Sequence, residues 1–362
     1  MRKMTSYILW CTVTILSLLS CQDKIEDQSP VKPPKDDKYI STIVANPVIR
    51  KNFPDPSIID DRARTGYFYA YSTQNGQSET ANVVYMPIYR SKDMVNWEFV
   101  GDAFGPGRPQ WVTGTRIWAP DINYIDGKYV LYYSLGDWEQ PSRSACGVAV
   151  SDKPFGPFKD KGMLVDYASQ GVSNSIDANF FDDGDQKYLF WGSYGKNSGI
   201  WVLPLSDDGL SIKVGAKKQK VAGNFMEGTY VHKHDGFYYL FASTGSCCEG
   251  KESTYRIVVG RSEKVTGPYL SPEGKSMIDD KYDSYIMSSS PDKSYTGTGH
   301  NAEILTDDTG QDWMMYHAYW KGNNYKGRCA NIDQVLWKGG WPYFKTGHPI
   351  PNGNGPKWLK EK

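Results

Sequence analysis

The sequence predicts an all-β fold, namely a five-bladed β-propeller, and three observations favour it. A hairpin unit recurs five times, apolar residues alternate on both sides of the turn in each unit, and helical periodicity is scarcely visible beyond the N-terminal segment. Short additional strands follow most of the hairpins, so each repeat is expected to form a sheet of about four strands. A β-sandwich or a β-helix is a less favoured way to stack such units. The hairpins begin at Asp55, Ala119, Ser175, Met226 and His300.

The N-terminal segment is predicted to direct export. Arg2 and Lys3 precede an apolar run over residues 8–19, which is too short to span a bilayer comfortably, and the small residue Ser20 precedes Cys21. We therefore expect residues 1–20 to be a lipoprotein signal peptide and Cys21 to carry the lipid. A soluble exported protein whose signal happens to end in cysteine is the alternative.

The rest of the chain is expected to be a tether followed by one domain. Residues 21–40 are predicted to be the lipidated cysteine and a flexible linker, because this stretch combines prolines with many charges and lacks a run of apolar residues. Residues 41–362 are expected to form the propeller, as a monomer. The lipid would anchor the protein to the outer membrane, and Asp23, Glu26 and Asp27 favour the cell surface.

The composition argues against nucleic acid as a partner and is compatible with sugars. The 41 basic and 41 acidic residues give a formal net charge of zero, which leaves no excess positive charge to neutralise phosphates. Aromatic residues make up 14% of the chain, with 26 Tyr and 12 Trp. Flat rings suit the faces of sugars, although Tyr and Trp are also good strand formers.

The chain has six cysteines, of which Cys11 lies in the predicted signal peptide and Cys21 is the predicted lipid site, so four remain. They are Cys146, Cys247, Cys248 and Cys329, and their spacing matches no metal-binding pattern. The adjacent Cys247 and Cys248 can each pair elsewhere or form a vicinal disulfide, and the sequence leaves this choice open.

Acidic residues and one histidine recur near the start of the repeats. In a propeller the first strand of each blade lines the central channel, so residues at equivalent positions form a ring. We expect this ring to consist of Asp55, Asp121, Asp177, Glu227 and His300. Several buried acids in one funnel are costly unless they have a use, which indicates an active centre.

The motifs around these residues resemble those of glycoside hydrolase family 43. The succession is FPDPSI, RIWAPDI, NSIDANFF, MEGTY and TGTGHNAEI, and the likeness extends over residues 46–351. Residues 247–270 are similar to the corresponding stretch of the family's arabinan endo-1,5-α-L-arabinosidases. The resemblance implies an inverting hydrolase that cleaves α-1,5-L-arabinofuranosidic bonds in arabinan. It also implies roles for three acids: Asp55 as general base, Glu227 as general acid and Asp177 as modulator of the acid's pKa.

Other residues are candidates for binding. Trp118 is a candidate platform for sugar stacking, with packing in the core as the alternative. Asp121 is expected to position substrate or brace the funnel, and Asn174 to hydrogen-bond a sugar hydroxyl. The resemblance implies that His300 contacts a metal ion, usually calcium, on the propeller axis with water completing the shell. The alternative for His300 is a hydrogen bond to a channel carboxylate without an ion.

The chain also departs from the family pattern, which leaves alternatives open. NSIDAN stands where NAIDPN is usual, and the loop LGDWEQPSRSAC differs from the expected Ser-, Thr- and Gly-rich loop. An exo-acting α-L-arabinofuranosidase or a β-xylosidase of the family would close the groove with long loops, for which residues 279–299 are a candidate. A non-catalytic glycan-binding lipoprotein and a retaining fructan-cleaving enzyme are the remaining alternatives.

Overall fold

The computed structural model describes residues 38–74, 84–112 and 116–360, and it confirms the five-bladed β-propeller. The predicted signal peptide and Cys21 lie outside these residues. No helix among the described residues is long and apolar enough to cross a membrane. The first strand begins at Tyr39, just before the predicted domain start at residue 41.

The first four blades are four-stranded antiparallel sheets whose strands follow one another in chain order. The chain enters through β1 (Tyr39–Ala45). Blade 1 contains β2 (Ser57–Asp61), β3 (Tyr67–Tyr71), β4 (Pro87–Ser91) and β5 (Trp97–Asp102). Blade 2 contains β6 (Arg116–Ile125), β7 (Lys128–Gly136), β8 (Ala145–Ser151) and β9 (Lys159–Asp166). Blade 3 contains β10 (Asn179–Asp182), β11 (Lys187–Trp191), β12 (Ile200–Pro204) and β13 (Gln219–Ala222). Blade 4 contains β14 (Glu227–His234), β15 (Phe237–Thr244), β16 (Arg256–Ser262) and β17 (Tyr285–Met287).

Blade 5 has a divided inner strand. Its strands are β18 (Tyr295–Gly299), β19 (Ile304–Thr306), β20 (Asp312–Trp320), β21 (Arg328–Lys338) and β22 (Trp341–Tyr343), and both β18 and β19 pair with β20. The last strand, β23 (Asn352–Leu359), pairs with β1, so the two ends of the propeller are joined to each other. Residues 279–299 supply β17 and β18, so they are not the free groove-closing loop considered from the sequence.

Helical segments are short. They are α1 (Arg62–Thr65), α2 (Tyr167–Gln170) and three 3₁₀ turns over Pro141–Arg143, Gly250–Glu252 and Lys321–Asn323. The β-branched and aromatic residues that dominate the strands favour extended backbone, which is consistent with this content.

The apolar core lies between the blades. The described residues form five buried clusters, and each cluster joins two neighbouring blades. One example joins blades 5 and 1, where Phe68 and Ile58 pack with Met315, Ile332 and Trp358. Because the apolar surface is buried between blades, the axis is left for polar groups.

Two circles of hydrogen bonds join the blades at this axis. In the first, a side chain at the second strand of each blade bonds the start of the next blade. Its contacts are Ala119 N to Thr73 Oγ1 (2.7 Å), Asp177 N to Ser134 Oγ (3.0 Å), Ser193 Oγ to Glu227 Oε2, His300 N to Ser243 Oγ (2.8 Å) and Asp55 N to His317 Nδ1 (3.1 Å). The circle is closed, since it passes from blade 5 back to blade 1.

The second circle links the first strands directly. Each contact ends on a side-chain oxygen of one blade and starts from a donor on the next. Its contacts are Ile122 N to Ser57 Oγ (3.0 Å), Phe180 N to Asp121 Oδ2 (2.9 Å), Val231 N to Asn179 Oδ1 (3.0 Å), Ile304 N to Tyr230 OH (3.1 Å) and Ile58 N to Glu303 Oε2 (2.6 Å). Asp121 and Glu303 are therefore parts of the closure of the ring.

Candidate active site

A cavity of about 480 Å³ lies where the inner strands begin. It brings together five residues that the sequence singled out, which are Asp55, Trp118, Asp177, Glu227 and His300. The three carboxyl groups are nearly buried, with Asp55 8%, Asp177 5% and Glu227 5% exposed. A buried acidic triad open to one cavity is the feature that the motif order predicted.

The backbone shows which positions of the blades are equivalent. One residue at the start of each inner strand has left-handed φ: Asp55 (54°), Ala119 (41°), Asp177 (59°), Gly228 (61°) and His300 (46°). The expected ring is thus wrong in two places, because Asp121 follows the equivalent position by two residues and Glu227 precedes it by one. Left-handed backbone is unfavourable for residues other than glycine and recurs at functional sites.

Asp55 is held in its ionised form. Its Oδ1 atom lies 2.9 Å from Arg328 Nη1 and 3.3 Å from His300 Nδ1, and its Oδ2 atom accepts a hydrogen bond from Thr73 Oγ1 at 2.7 Å. Burial acts to raise the pKa of Asp55, but the charges of Arg328 and His300 outweigh it and hold the pKa well below its usual value. This carboxylate can accept a proton.

Glu227 keeps its proton up to a much higher pH than Asp55 does. Its Oε1 atom accepts a hydrogen bond from Tyr255 OH at 2.9 Å, and its Oε2 atom accepts one from Ser193 Oγ. Burial and then the negative charge of Asp177 raise the pKa of Glu227 to about 7, against the effect of these hydrogen bonds. Two carboxyl groups in one cavity therefore differ in protonation state.

Asp177 lies near both His300, which pairs with Asp55, and the backbone next to Glu227. Its Oδ2 atom accepts a hydrogen bond from Gly228 N at 2.9 Å and lies 4.0 Å from His300 Nδ1. Burial raises the pKa of Asp177 to about 6, opposed by His300 and supported by the charge of Asp55. A group of this kind can tune the charge next to Glu227.

His300 is a buried cation. Burial acts to lower its pKa, but the carboxylates of Asp55 and Asp177 outweigh it and raise the pKa to about 9. The neighbouring His317 is neutral, because burial lowers its pKa to about 4. The Nδ1 atom of His300 thus makes an ion pair with a channel carboxylate, and whether His300 also contacts a metal ion stays a prediction.

Two predicted binding residues are not among the described residues that line the cavity. The Asp121 carboxylate accepts hydrogen bonds from Asn179, Phe180 and Asn123, and burial raises its pKa to about 6. Asp121 therefore braces the funnel, which was one of its two expected roles. Asn174 is 2% exposed, and its Nδ2 atom donates to Tyr194 O at 3.4 Å.

Aromatic rings and a disulfide form apolar parts of the cavity wall. The indole of Trp118 packs on Gly136, where a Cβ atom would overlap the ring, and meets Trp138 edge to face at 6.1 Å. Cys247 and Cys248 form a vicinal disulfide that also lines the cavity. Trp138 also lines the cavity and is 56% exposed, so its ring is accessible to a ligand.

Sequence reasoning missed several residues of the site. Arg328 contacts Asp55 across 273 residues and Thr73 contacts it across 18 residues, and no local motif marks either of them. Tyr255 lies within residues 247–270, which the resemblance covers, but its contact with Glu227 was not predicted. Trp138 could have been found from the sequence, because it lies in the loop LGDWEQPSRSAC that departs from the family pattern. The vicinal disulfide was one of the pairings that the sequence left open.

Comparison with known proteins places this site in a family. The family model "Glycosyl hydrolases family 43" matches residues 44–342. An extracellular exo-α-(1→5)-L-arabinofuranosidase from Cellvibrio japonicus is 33% identical over 76% of this chain and 82% of its own length. An extracellular endo-α-(1→5)-L-arabinanase from Bacillus subtilis is 31% identical over 80% of this chain and 87% of its own length.

The fold also matches solved structures. The structure of a Cellvibrio cellulosa α-L-arabinanase complexed with arabinohexaose has a TM-score of 0.70 and 30% identity, over 81% of this chain and 95% of that one. An exo-1,5-α-L-arabinanase from a bovine ruminal metagenomic library has a TM-score of 0.68 and 28% identity, over 81% and 97%. These matches confirm the resemblance seen in the motifs.

The position of His300 predicts a specific cost for substitution of Gly228. An alanine Cβ at Gly228 would lie 3.0 Å from His300 Cγ, and the backbone has φ of +61°. At Gly236 φ is +80° and no atom lies within 4 Å of such a Cβ. Gly236→Ala should therefore cost only backbone strain, about 1–2 kcal/mol of unfolding free energy, and Gly228→Ala should cost more. Urea unfolding of both variants measures this, and equal losses would contradict the close contact.

Proposed function

The chain belongs to glycosyl hydrolase family 43, and we propose that it hydrolyses α-1,5-linked L-arabinofuranosidic bonds of arabinan by endo-acting cleavage with inversion. One observation carries the proposal: a single cavity holds an ionised carboxylate, Asp55, and a carboxyl group with a pKa of about 7, Glu227. This is the pair that glycoside hydrolysis requires. The relatives named arabinanases supply the substrate class.

In the proposed reaction, Glu227 and Asp55 each act in the protonation state that their surroundings favour. Glu227 donates its proton to the glycosidic oxygen as the bond to the anomeric carbon breaks. Asp55 accepts a proton from water, whose oxygen bonds to the anomeric carbon from the opposite side. Inverting enzymes of this kind separate the two carboxyl groups by roughly 6.5–9.5 Å to hold that water. Asp177 keeps the pKa of Glu227 high, and His300 balances the charge of Asp55 and Asp177.

Trp118, Trp138 and the Cys247–Cys248 disulfide are proposed to contact the sugar rings. All of them line the cavity, and their apolar surfaces suit the faces of furanose rings. Arg116 and Gln74 also line it and can bond sugar hydroxyl groups.

Exo-acting release of arabinose is the second candidate. The relative from Cellvibrio japonicus and the structure from the bovine rumen library are both named exo-acting. The endo prediction rests on residues 247–270 and on several relatives named endo-arabinanases, including the one from Bacillus subtilis. The length of the released products distinguishes endo-acting cleavage, which gives oligosaccharides, from exo-acting release of arabinose.

Calcium at His300 stays a prediction. The Nδ1 atom of His300 faces Asp55, so an ion would bind through Nε2, with water as its other ligands, and would have to displace the proton that Nε2 carries in the metal-free site. Among the described residues, His300 does not belong to a group of three or more His, Cys, Asp or Glu side chains whose donor atoms are close enough to share an ion. When bound, calcium would add positive charge beside the carboxylates. Activity lost in EDTA and restored by calcium would support the ion, whereas unchanged activity would contradict it.

Export with a lipid anchor is also part of the proposal. The relatives from Cellvibrio japonicus and Bacillus subtilis are named extracellular, which supports export of this chain. The lipid at Cys21 and the location at the outer membrane or cell surface rest on residues 1–27 alone. Protease treatment of intact cells tests the surface location, and full protection of the protein would contradict it.

The purified protein should release mixed oligosaccharides from linear 1,5-α-arabinan and nothing from xylan or levan. Glu227→Gln removes the proton donor while keeping a side chain of the same shape, so the rate should fall by about two to four orders of magnitude. Chromatography of the products against time measures both effects. Arabinose as the sole product would move the function to exo-acting release, and binding without any product would make this a glycan-capture protein.

The pH profile should report the state of Glu227. Because the proton donor must be protonated, kcat/KM should decline as the pH rises through about 7, the pKa of Glu227. Asp177→Asn removes a negative charge that raises this pKa, so the decline should begin at lower pH. Glu98→Gln changes an exposed acid outside the cavity and serves as the control. A decline at the same pH in the Asp177 variant and the wild type would contradict the assigned role.

A further inference from the structure

A second cluster of ligating side chains lies away from the active cavity, between blades 4 and 5. It consists of His232 and His234 on β14 and Asp312 on β20. Successive residues of a strand point to opposite faces, so residues two apart, such as the two histidines, share one face. Glu227 begins the same strand, and His232 follows it by five residues, or roughly 17 Å of extended chain. The cluster is therefore separate from the acids that act on sugar.

The three side chains converge. One donor atom from each of His232, His234 and Asp312 lies within 4.8 Å of the others. Asp312 is 9% exposed, and the two histidines are half-buried.

Neighbouring groups hold these side chains in place. Asp312 Oδ1 accepts a hydrogen bond from Thr306 Oγ1 at 2.6 Å, and Oδ2 accepts one from Trp337 Nε1 at 2.8 Å. Each carboxylate oxygen keeps a second lone pair. The ring of His234 stacks on Trp337 with centroids 3.6 Å apart and planes 3° apart. Hydrogen-bonded and packed ligands of this kind are typical of metal sites in proteins.

We propose that His232, His234 and Asp312 bind a divalent transition-metal ion, with Zn²⁺ as the best match, and that the ion links blade 4 to blade 5. Two imidazoles and one carboxylate are a ligand set that Zn²⁺ accepts, with water in the fourth position. Calcium prefers a shell of oxygen atoms, so it is a poor match. The carboxylate of Asp235, 3.5 Å from His234 Nε2, adds negative charge beside the cluster.

Titration of untagged, EDTA-dialysed protein with zinc chloride tests the proposal. We expect about one equivalent of zinc to bind per chain and the melting temperature to rise. Excess calcium should leave the binding curve unchanged, which separates this cluster from the ion predicted at His300. Failure of the wild-type protein to bind zinc, or binding with no change in melting temperature, would overturn the proposal.

Matched variants locate the ion. His234→Phe keeps a flat ring to stack on Trp337 but removes the ligating nitrogen, so zinc affinity should fall at least about tenfold while the apo protein stays folded. His232→Phe should do the same, and it provides a second variant if the first does not fold. His348→Phe, at a half-buried histidine outside the cluster, is the control and should bind zinc as the wild type does. Zinc binding that is lost in the His348 variant and kept in both others would overturn the assignment. The outcome is independent of the proposed glycosidase activity.

Discussion

The structure depends on the closed circles of hydrogen bonds that join neighbouring blades at the axis. Apolar clusters hold each pair of blades together, but burial of apolar surface is not directional and does not fix where one strand begins relative to the next. The hydrogen bonds do fix it, because a buried N–H such as that of Asp55 or Asp177 must find an acceptor, and the acceptor is a side chain of the preceding blade. Each inner strand is therefore positioned by its neighbour, and the five blades together place the acids.

This positioning makes the electrostatics of the cavity possible. Three nearly buried carboxyl groups in one cavity repel one another and are largely removed from solvent, so they persist only with compensating charge or with a raised pKa. Blade 5 supplies that charge through His300 and Arg328, and both contact Asp55. Glu227 has hydroxyl partners and no salt bridge to either cation, so its pKa rises and that of Asp55 falls. An uneven distribution of positive charge thus separates an acid from a base.

The sequence predicted the fold and the acids because both leave local signals. Alternating apolar residues and repeated turns indicate blades, and each acid lies in a short motif at the start of an inner strand. The equivalence of Asp121 and Glu227 with the other ring members was wrong, since the residues were matched by acidity, whereas the blades are matched by left-handed backbone at Ala119 and Gly228. Arg328 left no signal, because its role depends on a contact with Asp55 across 273 residues. Asn174 is not among the described residues that line the cavity, so its contact with a sugar hydroxyl stays a prediction.

Closure of the ring and assembly of the base are the same event. Asp55 lies near the start of the propeller, and its partners His300, His317 and Arg328 all come from blade 5, at the other end. At the same junction, Glu303 accepts hydrogen bonds from Ser57 and Ile58 of blade 1. Strands β1 and β23 also pair there. Asp55 therefore has its low pKa only when blade 5 is packed on blade 1. An isolated blade 1 would carry the same carboxyl group without a cation beside it, so the persistence of the ionised carboxylate in a buried site belongs to the closed ring and not to the FPDPSI motif itself.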